Sequence, residues 1–156
     1  MRILSFVFLL VFMIPSLEAI RTPFNVTGEI FCNIVENFNV RIELFDDGWL
    51  SDDRLGCVQY QFDSTEKPFR YELQGEMEEN GSLLYNSHKL DIVVTHNCNR
   101  EELVQSFSQS LGYFEATPTP RDLEEDICLG SIGKTVTSFD FKKPCQEVKT
   151  DFTAQY

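Results

Sequence analysis

Histidine occurs only twice and tryptophan once in the 156 residues, and 13 basic residues stand against 25 acidic ones. Two histidines are too few to build the kind of histidine-rich cluster that activates water or holds a catalytic metal. The shortage of positive charge gives a net charge of −12. A chain this acidic is repelled by nucleic-acid phosphates and by anionic lipid surfaces. No group of basic residues is denser than Lys142-Lys143. A site for exposed lipid headgroups would therefore need folding to bring Arg41, Lys67, Arg70 and Lys142 together, or calcium to bridge.

Long apolar runs are also missing, with one exception. Met1-Arg2 leads into Ile3–Ile14, followed by Pro15 and the small residue Ala19, the pattern of a secretory signal peptide cut after Ala19. Residues 1–19 are short for a membrane span, and no later run approaches the ~18 apolar residues that a transmembrane helix needs. The expected product is secreted and extracellular, with no transmembrane segment. Residues 20–145 suffice for one domain that buries roughly two-thirds of its unfolded surface, and 146–156 form a polar tail.

Signatures of catalysis and metal binding are missing in the same way. Gly130-Ser131-Ile132-Gly133 lacks the glycine two residues before the serine that a nucleophile elbow requires, and reads as a turn. His96-x-Cys98 has no second ligand pair at zinc spacing. Asp46, Asp47, Asp52 and Asp53 invite a hard cation, but their spacing does not match the twelve-residue calcium loop and the run reads as solvated charge. Trp49 is either a binding-surface residue or a loop residue folded over a sheet edge. The chain is therefore expected to be no enzyme, with no catalytic residues, no resident metal and no cofactor.

What is present points to a secreted β protein. Five cysteines, Cys32, Cys57, Cys98, Cys128 and Cys145, lie beyond the leader. In an oxidising compartment they are expected to form two bridges and leave one thiol. Asn25-Val26-Thr27 and Asn80-Gly81-Ser82 are N-glycosylation acceptors, so Asn25 and Asn80 are candidate sugar carriers on solvent-facing positions.

Period-two alternation runs through most of the chain. Phe24, Val26, Gly28, Ile30 and Cys32 share one phase, as do Phe38, Val40, Ile42 and Leu44, then Phe69, Tyr71 and Leu73, then Leu90, Ile92, Val94, His96 and Cys98. Each set marks a half-buried strand. Val58–Phe62 and Ser82–Tyr85 read as shorter strands, as do Tyr113–Ala116, Ile127–Ile132 and Lys134–Phe141, with 121–126 a polar loop. After Cys98 the period changes. Asn99 with Glu102 forms a capping box, and Leu103, Phe107 and Leu111 make a stripe ending at Gly112, so a helix over Arg100–Leu111 is predicted. His88 falls in the polar loop Asn86–Lys89, while His96 points inward. The architecture that follows is an all-β Greek-key sandwich of seven to eight short strands with one short helix.

The succession Val26-x-Gly28-x-Ile30-x-Cys32, Asn39–Asp47, Phe69-x-Tyr71-x-Leu73-x-Gly75 and Leu90-x-Ile92-x-x-x-His96-Asn97-Cys98 resembles the transthyretin-like family of secreted nematode proteins over residues 20 to 98. Pro68 replaces the family's glycine, and the region after Cys98 is longer than usual. The wider transthyretin fold places a short helix after its fifth strand, where the capped segment falls.

The resemblance implies an extracellular binding or cell-signalling protein whose partner is another protein or a small hydrophobic or lipid ligand. It also sets the first strand and Leu90–Cys98 in the same direction. That implies a Cys32–Cys98 bridge, closing a loop of about 65 residues and contributing about 4 kcal/mol. A second bridge is then expected between Cys128 and Cys145, leaving Cys57 unpaired. Relatives on the same fold hydrolyse 5-hydroxyisourate with a His and Arg cluster and end in Tyr-Arg-Gly-Ser, but this chain ends Thr153-Ala154-Gln155-Tyr156.

Overall fold

The computed structural model describes residues 19–47, 52–63, 65, 67–79, 87–130, 132–137 and 139–145. Trp49, the Asn80 sequon, Ser82–Tyr85, the tail after Cys145 and all of the leader except Ala19 lie outside the described residues. Nine strands are described: β1 (Ile20–Phe31), β2 (Phe38–Asp47), β3 (Asp52–Phe62), β4 (Phe69–Glu79), β5 (Ser87–His96), β6 (Gln105–Glu115), β7 (Arg121–Glu124), β8 (Ile127–Cys128) and β9 (Lys134–Thr135).

They form two sheets. In the first, β1 lies between antiparallel β4 on one side and, on the other, β7 and β8, both parallel to it. The second has the order β3-β2-β5-β6-β9 and is antiparallel throughout.

Alternation decides which faces meet. Phe24, Val26, Ile30, Phe69, Tyr71, Leu73 and Met77 of the first sheet are buried against Phe38, Val40, Ile42, Leu44, Leu90, Ile92 and Val94 of the second. Fully burying one such aliphatic side chain is worth about 1.5–3 kcal/mol. Two of them match one long-loop disulfide, so packing rather than cross-linking dominates the fold.

The predicted helix over Arg100–Leu111 is not formed; that segment enters β6. Asn99 does cap, but it caps a turn: its Oδ1 accepts from the backbone N–H groups of Glu101 (3.1 Å) and Leu103 (3.0 Å), and its Nδ2 donates to Leu103 O (2.6 Å). Glu102 adopts a positive φ of 54°, which ends any right-handed turn. From Ser106 onward Phe107 and Leu111 could serve either period. The free edge of β5 decides for strand, pairing residue by residue from His96↔Gln105 to Ser87↔Glu115. A register shift between Leu90 and Asp91, opposite Gly112 and Ser110, hides the alternation of β6.

Other boundaries differ too. Residues 121–126, read as a loop, contribute β7, because Arg121–Glu124 pairs with Phe24–Thr27. Ile127–Ile132 and Lys134–Phe141 shrink to two-residue strands. Between β7 and β8 the chain presses on β1 at Gly28. Glu125 N donates to Thr27 O (2.9 Å), Asp126 Oδ1 accepts from Glu29 N (2.9 Å), and the buried Tyr71 hydroxyl donates to Glu125 O (2.6 Å). Burial and the nearby Glu125 and Asp126 carboxylates push the Tyr71 hydroxyl well above the ordinary tyrosine range.

A Cβ on Gly28 would stand 2.0 Å from Glu125 O. Gly28→Ala is accordingly expected to lower stability by about 1–3 kcal/mol in urea denaturation. Gly130→Ala is the control, since a Cβ there meets nothing within 4 Å.

Candidate functional site

Chemistry-bearing residues gather in four places. At one end of the sandwich Cys32, just past β1, bonds Cys98, just past β5 (Cα–Cα 6.1 Å, 66 residues apart). The two strands belong to different sheets, so this bridge clasps the layers. Beside it the rings of Phe38, Phe62 and Phe69 meet at 5.0–5.5 Å. Asn97 Oδ1 accepts from Asn39 N at 2.7 Å.

The second expected bridge is corrected. Cys145 bonds Cys57 on β3 (Cα–Cα 5.8 Å), and Cys128 is the free, exposed cysteine. Cys128 sits on β8 opposite Phe31 in the first sheet, whereas Cys145 lies on the second. Cys128 takes the outward phase of the first sheet beside the buried Ile127, and Cys145 lies against the outer face of the second, so the thickness of the whole sandwich separates them, more than a disulfide spans. The Cys57–Cys145 bridge fastens a strap, residues 139–145, across the outer face of β2 and β3. Arg41 stacks on the Phe139 ring (4.5 Å) and donates to Lys143 O, while Gln59 Nε2 donates to Phe141 O (2.5 Å).

The two histidines stand at opposite ends of β5, roughly 26 Å apart at 3.3 Å per residue. They cannot share a substrate. His96 is fully buried. Its Nδ1 accepts from Cys98 N (3.2 Å), which leaves the proton on Nε2, facing Ile132 O at 3.3 Å. Burial lowers its pKa. With both nitrogens engaged, His96 is a neutral fastening of the core.

His88 is on β5 rather than in a loop. Its Nδ1 lies 2.7 Å from Asp46 Oδ2 on β2 and its Nε2 2.5 Å from Glu79 Oε2 on β4. The three side chains are only 13–19% exposed. His88 thereby links the second sheet to the first at the end opposite Cys32–Cys98. These two carboxylates hold its pKa above the ordinary value although burial opposes them. Burial raises Asp46, and His88 only partly offsets that.

The four aspartates read as a charge run lie in register, Asp46↔Asp53 and Asp47↔Asp52, across β2 and β3. The like charges of Asp46 and Asp53 repel. Lys89 relieves part of the strain through Asp47 (2.5 Å) and Asp91 (2.9 Å). Among the described residues no group of His, Cys, Asp and Glu is arranged to hold a metal ion.

An open groove of about 450 Å³ runs along the outer face of the first sheet, lined by Pro23, Phe24, Asn25, Gln74–Glu76 and Pro120. Asn25 is half-buried there rather than freely exposed. Its Nδ2 is 3.4 Å from Asp122 Oδ1 and its own Oδ1 is buried without a partner. The basic residues named for a headgroup site do not converge: Arg70 pairs with Glu29 on the first sheet, while Arg41 is held under the strap on the second.

No family model matches the chain. It is 35% identical over 77 residues to an uncharacterized protein of Caenorhabditis elegans. That match covers 49% of this chain and 56% of the other, so the chain spans about half the length of the curated relative it matches. Among solved structures, an alternative pilotin from the type II secretion system of Vibrio cholerae has a TM-score of 0.43 at 9% identity, covering 69% of this chain and 96% of its own. A 9R-lipoxygenase from Cyanothece PCC8801 has a TM-score of 0.29 at 12% identity, covering 76% of this chain and 17% of its own. Likeness this low carries no argument about fold or function.

The His88 link was open to discovery in the sequence, since His88 shares the phase of Leu90, Ile92, Val94 and His96. Its partners were not, because 42 and 9 residues separate it from Asp46 and Glu79. Thiol labelling of the unreduced protein is expected to modify Cys128 alone. In Cys145→Ala a second thiol, Cys57, appears; labelling of Cys57 in the parent protein would overturn the pairing.

Proposed function

We propose that the chain is a secreted extracellular binding or cell-signalling protein of the transthyretin-like type, non-enzymatic, with its sandwich in the Greek-key arrangement. The observation that carries this reading is the pair of disulfides, one clasping the two sheets and one fastening the 139–145 strap. Bridges placed to hold whole layers together belong to proteins matured in an oxidising compartment. The apolar run Ile3–Ile14 supports the same route, and the sequence match to a nematode protein agrees with the family's source. Histidines that are separated and fully engaged favour binding over the hydrolase chemistry known on this fold.

In this reading the groove beside Asn25 seats an attached sugar. The amide that remains after glycosylation keeps one N–H for Asp122, while Pro23 and Pro120 offer an apolar wall. Partners are extracellular proteins or small hydrophobic or lipid ligands.

Expression of the full chain in a eukaryotic secretory host tests the reading. The protein is expected in the medium, cut after Ala19, with a glycan released by peptide N-glycosidase and missing in Asn25→Gln. Retention of the uncut chain inside the cells would overturn secretion, and an unglycosylated Asn25 in the secreted protein would overturn the sugar seat.

A further inference from the structure

We propose that His88 is a proton-operated latch between the two sheets, closed when its imidazole carries charge and released when the proton leaves. The geometry requires this. Ionised carboxylates only accept hydrogen bonds, and a neutral imidazole has a single N–H to give. His88 meets a carboxylate oxygen at each ring nitrogen, Asp46 at 2.7 Å and Glu79 at 2.5 Å. Both contacts are bonds only when both nitrogens are protonated. In the neutral ring one nitrogen turns a lone pair toward a carboxylate, and that contact becomes repulsive.

The charges around the ring make the release effective. Asp46 and Asp47 come from β2, Asp53 from β3, Glu79 from β4, and Lys89 and Asp91 from β5; β6 adds Glu115 in register with Ser87. Glu78 on β4 is held outside by Arg21. Lys89 serves Asp47 and Asp91, so His88 is the cation bonded to both Asp46 and Glu79. Once it is neutral, Asp46, Asp53 and Glu79 face one another across the sheet interface without it. The layers remain joined at the far end by Cys32–Cys98. The motion that follows is an opening at the His88 end about the disulfide end.

The sign of the pH dependence is fixed. The carboxylates raise the folded-state pKa of His88 above its ordinary 6.5, so its contribution to stability is fully present below the unfolded value and is lost as pH rises through the folded one. His96, whose pKa burial lowers, contributes in the opposite sense and is lost as pH falls. A melting curve of the whole protein mixes the two, and site-resolved measurement separates them.

Nitrogen-15 NMR of the ring nitrogens in the full chain, from pH 5 to 9, is the test. His88 is expected with both nitrogens protonated at pH 6 and a midpoint above 6.5, with His96 below it. Glu79→Gln is expected to move the His88 midpoint downward. Amide hydrogen exchange, corrected for its intrinsic pH dependence, is expected to lose protection at Glu78, Glu79 and Lys89 as His88 titrates, while amides beside Cys98 keep theirs. A His88 midpoint at or below 6.5, or protection unchanged through its titration, would overturn the latch; both readings come from the unmodified protein.

Discussion

The structure depends on keeping two sheets of different composition face to face. Apolar contact between their inner faces supplies most of the attraction, but such contact has no direction and tolerates sliding. Direction comes from the ends. Cys32–Cys98 fixes one end covalently, and the Asp46–His88–Glu79 link fixes the other by charge-assisted hydrogen bonds. One fastening is indifferent to pH and the other is governed by it. The asymmetry makes the His88 end the part of the interface that responds to its surroundings.

The same economy appears on the outer faces. The second sheet is covered across β2 and β3 by a strap that the Cys57–Cys145 bridge holds, with Arg41 stacked beneath it. Among the described residues, the first sheet keeps an open groove beside Asn25. Two surfaces of one sandwich thus differ, one crossed by the strap and one carrying an open groove. The exposed Cys128 belongs to the open sheet, one position across from Phe31.

Much of this was legible in residue order. β2 and β5 alternate so regularly that no other period fits Val40, Ile42 and Leu44 or Leu90, Ile92 and Val94, and both are strands with those residues buried. β6 was not legible. Asn99 caps a turn, sharing with a helix N-cap the bond from the N–H two residues on, and the bulge near Leu111 breaks the alternation that would have marked a strand. The short strands β8 and β9 have too few residues to carry any period, and they exist because β1 and β6 offer edges to pair with.

The sequence by itself determined which residues face the core, because strand geometry converts a period of two directly into two faces. It also determined that five cysteines would leave one over. Only the tertiary structure decided which one. Cys128 and Cys145 are near in sequence, but the chain crosses from one sheet to the other between them, so Cys145 meets Cys57 instead. The partners of His88 were decided in the same way, since contact across a sheet interface depends on where separate strands end in space and leaves no local trace in the sequence.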